Sequence, residues 1–521
     1  MVPIPVVQQE QNRTVANQEV ESQQEKNQKA AGTKKMIDSL LRFLNALWKW
    51  MLSLWQSQFG PVLTMDDSGI RVRVGSQIAE GGFSVIFHAT NLDAAKHSVG
   101  SASASANQHQ YEYVLKRIRC HDGETRSGCI QESKAHYAVM GQQQQQQRQM
   151  HSSGSILAAG GGVRGGGIAS STAETIRDSL SGHIMPLLGM TFGENNTLCY
   201  MLFPYLPHSL KKEVVLRIFE PMEEVTNNTK NKNGSTMSQT QKNQKIKDSL
   251  RMPPWSETTV LRWFEQLCDS VILMHASGYT HRDIKLDNVL LHQSSPSPSL
   301  SSFPEASSGN GNNNVYRGRS THDSRSGVVL MDYGSAGPLH KSLGTRRDVL
   351  EIADEASQNT TISYRPPELF AGELRAVATG SATNATNAAS TFTDVDGDEV
   401  FHHESVLDYR KVDVWMLGCT LFAILFGASP GESEFSRSTG QLFIVDPSHN
   451  KMLGQMPPWP STEMPSARWY SAELKELLAW ILTKDRGDRP TVKAVRRRVR
   501  EILSQKPSLF VGDGDDARMN V

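Results

Sequence analysis

The run from Tyr279 to Leu291 constrains this chain more than any other part of its sequence. It places an acid, a lysine two residues later and an asparagine three residues after that in a short polar segment with an apolar end. Phosphoryl transfer needs these groups, because the protein must orient a hydroxyl, neutralise phosphate charge and hold a metal ion. Asp283 would accept the hydroxyl proton, Lys285 would steady the migrating phosphate, and Asn288 would give Mg²⁺ an oxygen ligand. The alternative interpretation is an ordinary polar loop after a helix.

Composition narrows the class of protein and its partners. Of 521 residues, 38% are hydrophobic, and Lys+Arg and Asp+Glu both number 54, so the formal net charge is zero. Without a global basic field we expect no nucleic-acid partner. The five cysteines are scattered without a Cys-x-x-Cys spacing, which excludes the usual zinc ribbons and favours a reducing compartment. We expect one core interrupted by polar insertions.

The N-terminal region changes character at residue 36. Residues 1–35 are rich in Gln, Asn, Glu and Lys and are expected to be disordered, whereas residues 36–58 are apolar. Read as a helix, this segment has one broad apolar face, formed by Leu41, Leu44, Leu47, Trp48, Met51, Leu52 and Trp55. The opposite polar face carries Arg42, Asn45, Lys49 and Ser53. Such a helix is typical of the membrane interface and is too charged to span a bilayer, so we expect peripheral membrane contact through residues 36–55. Docking of the same face on the folded protein is the alternative.

A glycine turn between two strands is the next predicted binding element. Residues 70–74 alternate as a half-buried strand, and residues 78–87 read as a turn followed by a second strand. Glycines here let backbone N–H groups approach phosphate oxygens. The residues of this segment expected to contact a nucleotide are Ile78, Ala79, Glu80, Gly81, Gly82, Phe83, Ser84 and Ile86. A plain hairpin turn is the alternative.

A lysine on a strand and a glutamate on a helix form the next candidate pair. Residues 111–118 form a β-rich segment carrying Lys116, and Glu132 lies sixteen residues later in a helix-like segment from Ile130 to Met140. Lys116 paired with Glu132 would be held against the α- and β-phosphates, and Val114 would lie above an adenine ring. The alternative is a solvated lysine.

Core segments alternate with low-complexity segments along the rest of the chain. The predicted insertions are residues 91–110, 141–175, 225–248, 293–326 and 373–404. The second of these contains six consecutive glutamines and shows no packable face. Between insertions we predict a strand from Leu198 to Phe203 and a helix from Ser256 to Ala276, with Ser256 as its N-cap and Gly278 ending it.

The C-terminal half supplies a second metal ligand and a buried ion pair. Asp332 follows the apolar strand 328–331, where its carboxylate can bind Mg²⁺. Residues 413–425 are apolar nearly all round and predict the buried central helix of a helical lobe. Glu368 and Arg489 are expected to form a buried pair, whose disruption would cost about 3–5 kcal/mol.

The order of these motifs resembles that of the protein kinase superfamily, including H-R-D-x-K-x-x-N at residues 281–288. Within it the chain resembles the Numb-associated kinase family, through residues 80–84 and 361–365. The resemblance covers residues 70–505, and residues 506–521 read as a tail. It implies an α+β, bilobal kinase fold, with a small mainly β N-lobe, a larger helical C-lobe and long polar insertions.

The resemblance also implies roles for single residues. Catalysis is assigned to Asp283, Lys285, Lys116 and Glu132, metal binding to Asn288 and Asp332, and further nucleotide contacts to Val114, Pro204, Tyr205, Leu206 and Leu290. We therefore expect an ATP- and Mg²⁺-dependent serine/threonine protein kinase that acts on protein substrates. It would be cytoplasmic and peripheral on endomembranes. The alternative is a weakly active or inactive kinase-fold scaffold that recruits partners through its insertions. The presence of Lys116, Asp283 and Asp332 favours the enzyme.

Overall fold

The computed structural model describes residues 39–42, 44, 47–48, 51, 59–82, 84–93, 113–153, 172–218, 255–293, 326–343, 345–370, 391–393, 399–401, 406–435, 442–447 and 469–506. The chain divides into two compact units, Met1–Ile118 and Arg119–Val521. Phe83, residues 1–35, nearly all of the predicted tail and most of the predicted insertions lie outside the described residues.

Antiparallel strands form the sheet of the first unit. They are β1 (Val62–Thr64), β2 (Arg71–Glu80), β3 (Ser84–Asn91) and β4 (Tyr113–Arg119), each paired with the next. Alternation in β4 buries Leu115 completely and leaves Lys116 half-buried on the other face. The two predicted strand regions are confirmed, although β2 continues through Ile78 to Glu80, so the turn itself is shorter than the sequence suggested.

The N-terminal segment is helical wherever it is described between residues 39 and 51. Its apolar side chains are solvent-exposed, from 41% for Leu47 to 59% for Leu41 and Trp48. Among the described residues no helix has the length and hydropathy needed to cross a membrane.

The second unit is mainly helical. Its helices are α1 (Gly123–Ser153), α2 (Thr172–Ser181), α3 (Leu210–Ile218), α4 (Glu257–Ala276), α5 (Arg346–Asn359), α6 (Tyr409–Phe426), α7 (Ala472–Ile481) and α8 (Val492–Gln505). The prediction for α4 is confirmed: the Ser256 hydroxyl accepts a hydrogen bond from the Thr259 backbone N–H at 3.1 Å, and Gly278 follows with φ +84°. A left-handed backbone of this kind suits glycine.

Helix α6 forms the centre of the largest hydrophobic core. Its side chains from Val412 to Phe426 are all buried, as its sequence predicted, and Gly427 ends the helix with φ +95°. Buried residues of α4, α7 and α8 belong to the same cluster. A helix that is apolar on every side is stable only in such surroundings.

Short strands connect these helices and position the loops between them. They are β5 (Gly189–Gly193), β6 (Leu198–Pro204), β7 (His208–Ser209), β8 (Tyr279–Thr280), β9 (Val289–Gln293), β10 (Ser326–Leu330), β11 (Gly337–Pro338), β12 (His340–Ser342), β13 (Thr391–Thr393), β14 (Glu399–Phe401), β15 (Val406–Asp408), β16 (Ser433–Phe435) and β17 (Leu442–Ile444). Strands β7, β9 and β10 form one antiparallel sheet, and β8 pairs with β11. Strand β9 therefore holds the C-terminal end of the run from Tyr279 to Leu291 against β10.

The expectation for residues 141–175 is partly wrong. Helix α1 runs through the whole glutamine tract, and α2 begins within the same segment. Glutamine is a good helix former, so the tract extends a helix that packing has already started. Gln143 is buried, and its side-chain amide donates to the Asp178 carbonyl at 2.6 Å, so this face of the tract packs after all.

Candidate functional site

The segment 281–288, here called the Asp283 loop, is held in place by one buried carboxylate. Asp413 on α6 is fully buried and accepts hydrogen bonds from the backbone N–H groups of His281 (2.9 Å) and Arg282 (2.8 Å). His275 Nε2 lies 2.8 Å from the same carboxylate. Arg282 has φ +66°, a conformation that costs a non-glycine residue about 1–3 kcal/mol. The Asp413 bonds offset this cost and fix the turn from which Asp283 projects.

Asp283 is the centre of a compact polar network. Its Oδ2 lies 2.7 Å from Lys285 Nζ, and its Oδ1 accepts from the Thr361 hydroxyl at 2.6 Å and backbone N–H at 3.1 Å. Lys285 also donates to the Thr361 hydroxyl at 2.8 Å, and Asn288 Nδ2 donates to the Asp283 carbonyl at 2.9 Å. The sequence predicted Asp283, Lys285 and Asn288 as site residues, and the structure brings them together with Thr361, 76 residues beyond Lys285. The Asp283 carboxylate and the Lys285 ammonium group therefore both point to the Thr361 hydroxyl.

Asn288 and Asp332, the two predicted metal ligands, flank the paired strands β9 and β10: Asn288 directly precedes β9, and Asp332 follows β10. Leu330 lies opposite Val289 in the β9–β10 register, and the Met331 N–H donates to the Asn288 carbonyl at 3.0 Å. A Cβ at Gly334 would lie 3.3 Å from Asp332 Oδ1 and 3.5 Å from Glu132 Oε2, so both carboxylates come close to this glycine.

Hard oxygen donors of this kind fit Mg²⁺, which is usually bound by one or two protein ligands together with phosphate and water. In the part of the chain that is described, no group of three or more His, Cys, Asp or Glu could hold a metal ion.

Three aromatic rings pack together at Tyr333, the residue that follows Asp332. Tyr333 is buried and stacks on His136 of α1, with ring centroids 4.1 Å apart and planes at 10°. The His281 ring contacts Tyr333 in a T-shaped arrangement with ring centroids 5.5 Å apart, and His281 Nε2 lies 3.1 Å from the Met331 carbonyl. Burial raises the pKa of the Tyr333 phenol. Asp332 itself has φ +66°, so this packing holds another unfavourable backbone conformation beside the site.

The segment after Asp332 is tied to the loop through Arg282. The Arg282 guanidinium donates to Glu355 Oε1 of α5 at 2.9 Å and lies 3.6 Å from the ring centroid of Tyr409. Glu355 Oε2 also accepts from Lys341 Nζ at 2.7 Å and from the Tyr409 hydroxyl at 3.3 Å. One carboxylate thus joins α5, β12, α6 and the Asp283 loop.

Four of the predicted nucleotide-contact residues of the first unit share one face of its sheet: Ala79, Ile86, Val114 and Lys116. Cross-strand register aligns Ala79 with Ile86 and Ile86 with Lys116, and Val114 lies two residues before Lys116 on the same face. Residues 78–82 are exposed, and Ser84 is half-buried. The Gly81 N–H donates to the Ser84 carbonyl at 2.8 Å to close the turn.

The remaining predicted nucleotide contacts lie in the second unit. Pro204 ends β6, and Tyr205 and Leu206 form the half-buried connection to β7. Strand β7 pairs Ser209 with Leu290, so the connection and Leu290 belong to the same part of the fold. Glu132 is buried in α1.

Comparisons with known proteins point to kinases as relatives of this chain. No family model matches the chain. The curated serine/threonine-protein kinase 16 of Rattus norvegicus is 25% identical over 252 residues, which are 48% of this chain and 58% of that protein. Its Homo sapiens counterpart is 25% identical over 237 residues, 46% of this chain and 53% of that protein. A serine/threonine-protein kinase of Schizosaccharomyces pombe is 26% identical over 228 residues, 44% of this chain and 43% of that protein. The chain is related to the protein kinase superfamily. The match spans about half the length of these kinases.

The sequence did not predict the contacts of Glu355 with Arg282 and of His136 with Tyr333. Both contacts are long-range, since Glu355 lies 73 residues from Arg282, and no local pattern encodes such a pair. The available signal for Glu355 was its position on the amphipathic run that forms α5, whose buried residues are Val349, Ile352 and Ala356. A carboxylate next to that apolar face is partly buried, which is unfavourable unless the charge is paired or hydrogen-bonded.

Proposed function

We propose that the chain is an ATP- and Mg²⁺-dependent serine/threonine protein kinase with a bilobal kinase fold, and that it belongs to the Numb-associated kinase family. The observation that carries the proposal is the network of Asp283, Lys285, Asn288 and Thr361, with Asp332 two residues after the end of the neighbouring strand β10. A carboxylate base, an ammonium group and two metal-type oxygen donors in one place are the parts that phosphoryl transfer uses.

In the proposed reaction the acceptor hydroxyl takes the position beside the Asp283 carboxylate. Its oxygen forms a bond to the γ-phosphorus of ATP while the bond from that phosphorus to the β–γ bridging oxygen breaks, and ADP leaves. The hydroxyl proton passes to Asp283. Lys285, 2.7 Å from Asp283, places a positive charge where the transferred group carries negative charge.

Mg²⁺, when bound, neutralises developing charge on the phosphate oxygens. Asn288 and Asp332 would hold it. In the first unit we propose that the nucleotide contacts the sheet face of Ala79, Ile86, Val114 and Lys116 and the turn at residues 81–82. In the second unit we propose that it contacts residues 204–206 and Leu290. The preference for Ser and Thr hydroxyls is supported by Lys285 two residues after Asp283, by its bond to Thr361 and by the names of the relatives.

The test is phosphate transfer from labelled ATP to a general protein acceptor such as casein, with phosphorylated residues mapped by mass spectrometry. Asp283→Asn should lower kcat by about 10²–10⁴-fold while ATP affinity stays close to that of the wild type, because this carboxylate acts on the acceptor. Asp332→Asn should instead weaken Mg²⁺-dependent nucleotide binding.

Asp488→Asn, an exposed carboxyl outside the network, is the matched control and should behave as the wild type. Wild-type protein that binds partners but transfers no phosphate would support the scaffold alternative and refute the kinase. Equal turnover in wild type and Asp283→Asn would remove the role given to Asp283.

A second proposal concerns the N-terminal helix. We propose that it binds a membrane surface peripherally and brings a cytoplasmic kinase to endomembranes. Its described apolar side chains, including Leu44 and Trp48, are exposed, which is unfavourable unless a partner surface covers them. Leu44→Glu with Trp48→Glu should abolish co-sedimentation with anionic liposomes. If co-sedimentation persists, or if the double variant unfolds at a much lower temperature, the helix packs on the protein instead.

A further inference from the structure

A pocket of about 490 Å³ lies beside the Asp283 loop in the second unit. Its lining consists of Ser209, Lys211, Lys212, Val215, Leu216 and Asp287. Asp287 follows Asp283 by four residues, so the chain between them spans at most about 14 Å. A peptide whose hydroxyl reaches Asp283 can therefore place a nearby side chain in this pocket.

Helix α3 presents an unusual outer face to the pocket. Its buried residues Leu210, Val214 and Ile218 recur every four positions and pack on the core. The outer face consequently carries two lysines, each one helical turn before an exposed apolar side chain. Val215 is 41% exposed and Leu216 is 45% exposed.

The charges in the pocket do not cancel. Lys211 Nζ lies 2.6 Å from Asp287 Oδ1, but both side chains are about half exposed, so this pair is weak. The ammonium group of Lys212 forms no ion pair with any residue in the described part of the chain. Two lysines and one aspartate leave a net charge of +1 beside exposed apolar surface.

We propose that this pocket selects protein substrates with an acidic residue close to the phosphorylated hydroxyl and an apolar residue next to that acid. The carboxylate would contact Lys212 and draw Lys211 from Asp287, and the apolar side chain would cover Val215 and Leu216. This inference rests on the proposed kinase activity. It names the class of substrate that the Asp283 site acts on.

Substrate selection is measured with peptides that carry one serine and a single Asp, Lys or Ala at each of the five positions on either side. A second series places Leu or Ser next to the Asp. For the wild-type protein, Asp should raise kcat/KM about tenfold over Lys at one or more of these positions. In Lys211→Glu with Lys212→Glu the preference should reverse in favour of Lys. Leu216→Ser should remove the benefit of the apolar neighbour and keep the preference for Asp.

Arg262→Glu is the matched control, since it reverses one exposed charge on α4 outside the pocket. It should retain the wild-type preference. A wild-type protein with no preference for Asp, or a lysine double variant with an unchanged preference, would overturn the proposal.

Peptide binding separates this inference from the proposed activity. Fluorescence anisotropy of a labelled acidic peptide reports pocket binding without phosphate transfer. Binding that is lost in the lysine double variant, retained in Arg262→Glu and weakened by salt supports the pocket even if no peptide is phosphorylated. Phosphorylation without preferential binding of acidic peptides would leave the kinase intact and refute the pocket.

Discussion

Replacing Glu368 with alanine removes the charge partner of a guanidinium that has no exposure to solvent. Arg489 NH1 and NH2 lie 2.6 Å and 3.0 Å from the two carboxylate oxygens of Glu368, and the two side chains are 0% and 8% exposed. This confirms the pair predicted from the sequence. In the variant, Arg489 keeps its bonds to the carbonyls of Lys411 (2.8 Å) and Thr483 (3.1 Å) and its position over the Trp415 ring. The hydrogen bonds are thus only partly lost, whereas the charge becomes unpaired.

An unpaired buried charge of this kind costs about 3–5 kcal/mol, a large part of the 5–15 kcal/mol that stabilises a typical domain. Urea unfolding followed by circular dichroism measures this loss for Glu368→Ala. Glu501→Ala is the control, because its partner Arg498 is 39% exposed and Glu501 is 48% exposed. That surface pair should contribute less than about 1 kcal/mol.

The double variant Glu368→Ala with Arg489→Met distinguishes an unpaired charge from a simple loss of contacts. Removing both charges should cost less than the sum of the two single changes, since no ion is then left unpaired. A loss below about 1 kcal/mol for Glu368→Ala, or strict additivity in the double variant, would refute the reasoning.

Three other changes have expected outcomes. Glu355→Gln should destabilise the contact of α5 with Arg282 by about 1.5–3 kcal/mol, measured by thermal unfolding and by faster proteolysis within α5. Tyr333→Phe should stabilise the protein by about 1–3 kcal/mol in urea unfolding, because the buried hydroxyl has no hydrogen-bond partner among the described residues. A destabilised variant would mean that the hydroxyl does form a stabilising hydrogen bond. Burial, with His183 nearby, lowers the pKa of His292 from 6.5 to about 4. The unfolded chain therefore takes up this proton first, so stability should fall as pH drops from 6.5 towards 4, and His292→Gln should flatten that slope in pH-dependent unfolding.

The sequence predicted those parts of the fold whose signal is local. The cap at Ser256, the glycine at 278 and the continuous apolar run of α6 each depend on neighbouring residues, and the structure confirms them. The prediction that the glutamine tract has no packable face was wrong, because it depended on composition alone. The burial of Gln143 depends on α2, which lies beyond residues 154–171.

The residues of the candidate site also fall into a local group that the sequence predicts and a long-range group that it does not. Asp283, Lys285 and Asn288 lie within six residues and are recognisable from their spacing. Thr361, Glu355 and Asp413 join them only through folding, and their contacts to the loop cross 73 to 132 residues. Spacing alone cannot identify a partner at such separations, because many acids and hydroxyls lie within that range.

The position of Asp413 also decides when this site can come into existence. The two backbone bonds that hold the Asp283 loop require a carboxylate 131 and 132 residues further along the chain. A ribosome adding about 5–20 residues per second needs roughly 7–26 s to reach it. During that interval the emerging polypeptide carries every polar side chain of the loop and lacks the carboxylate that arranges them. The arranged form of the Asp283 loop is therefore withheld from the nascent chain until α6 has left the ribosome and packed.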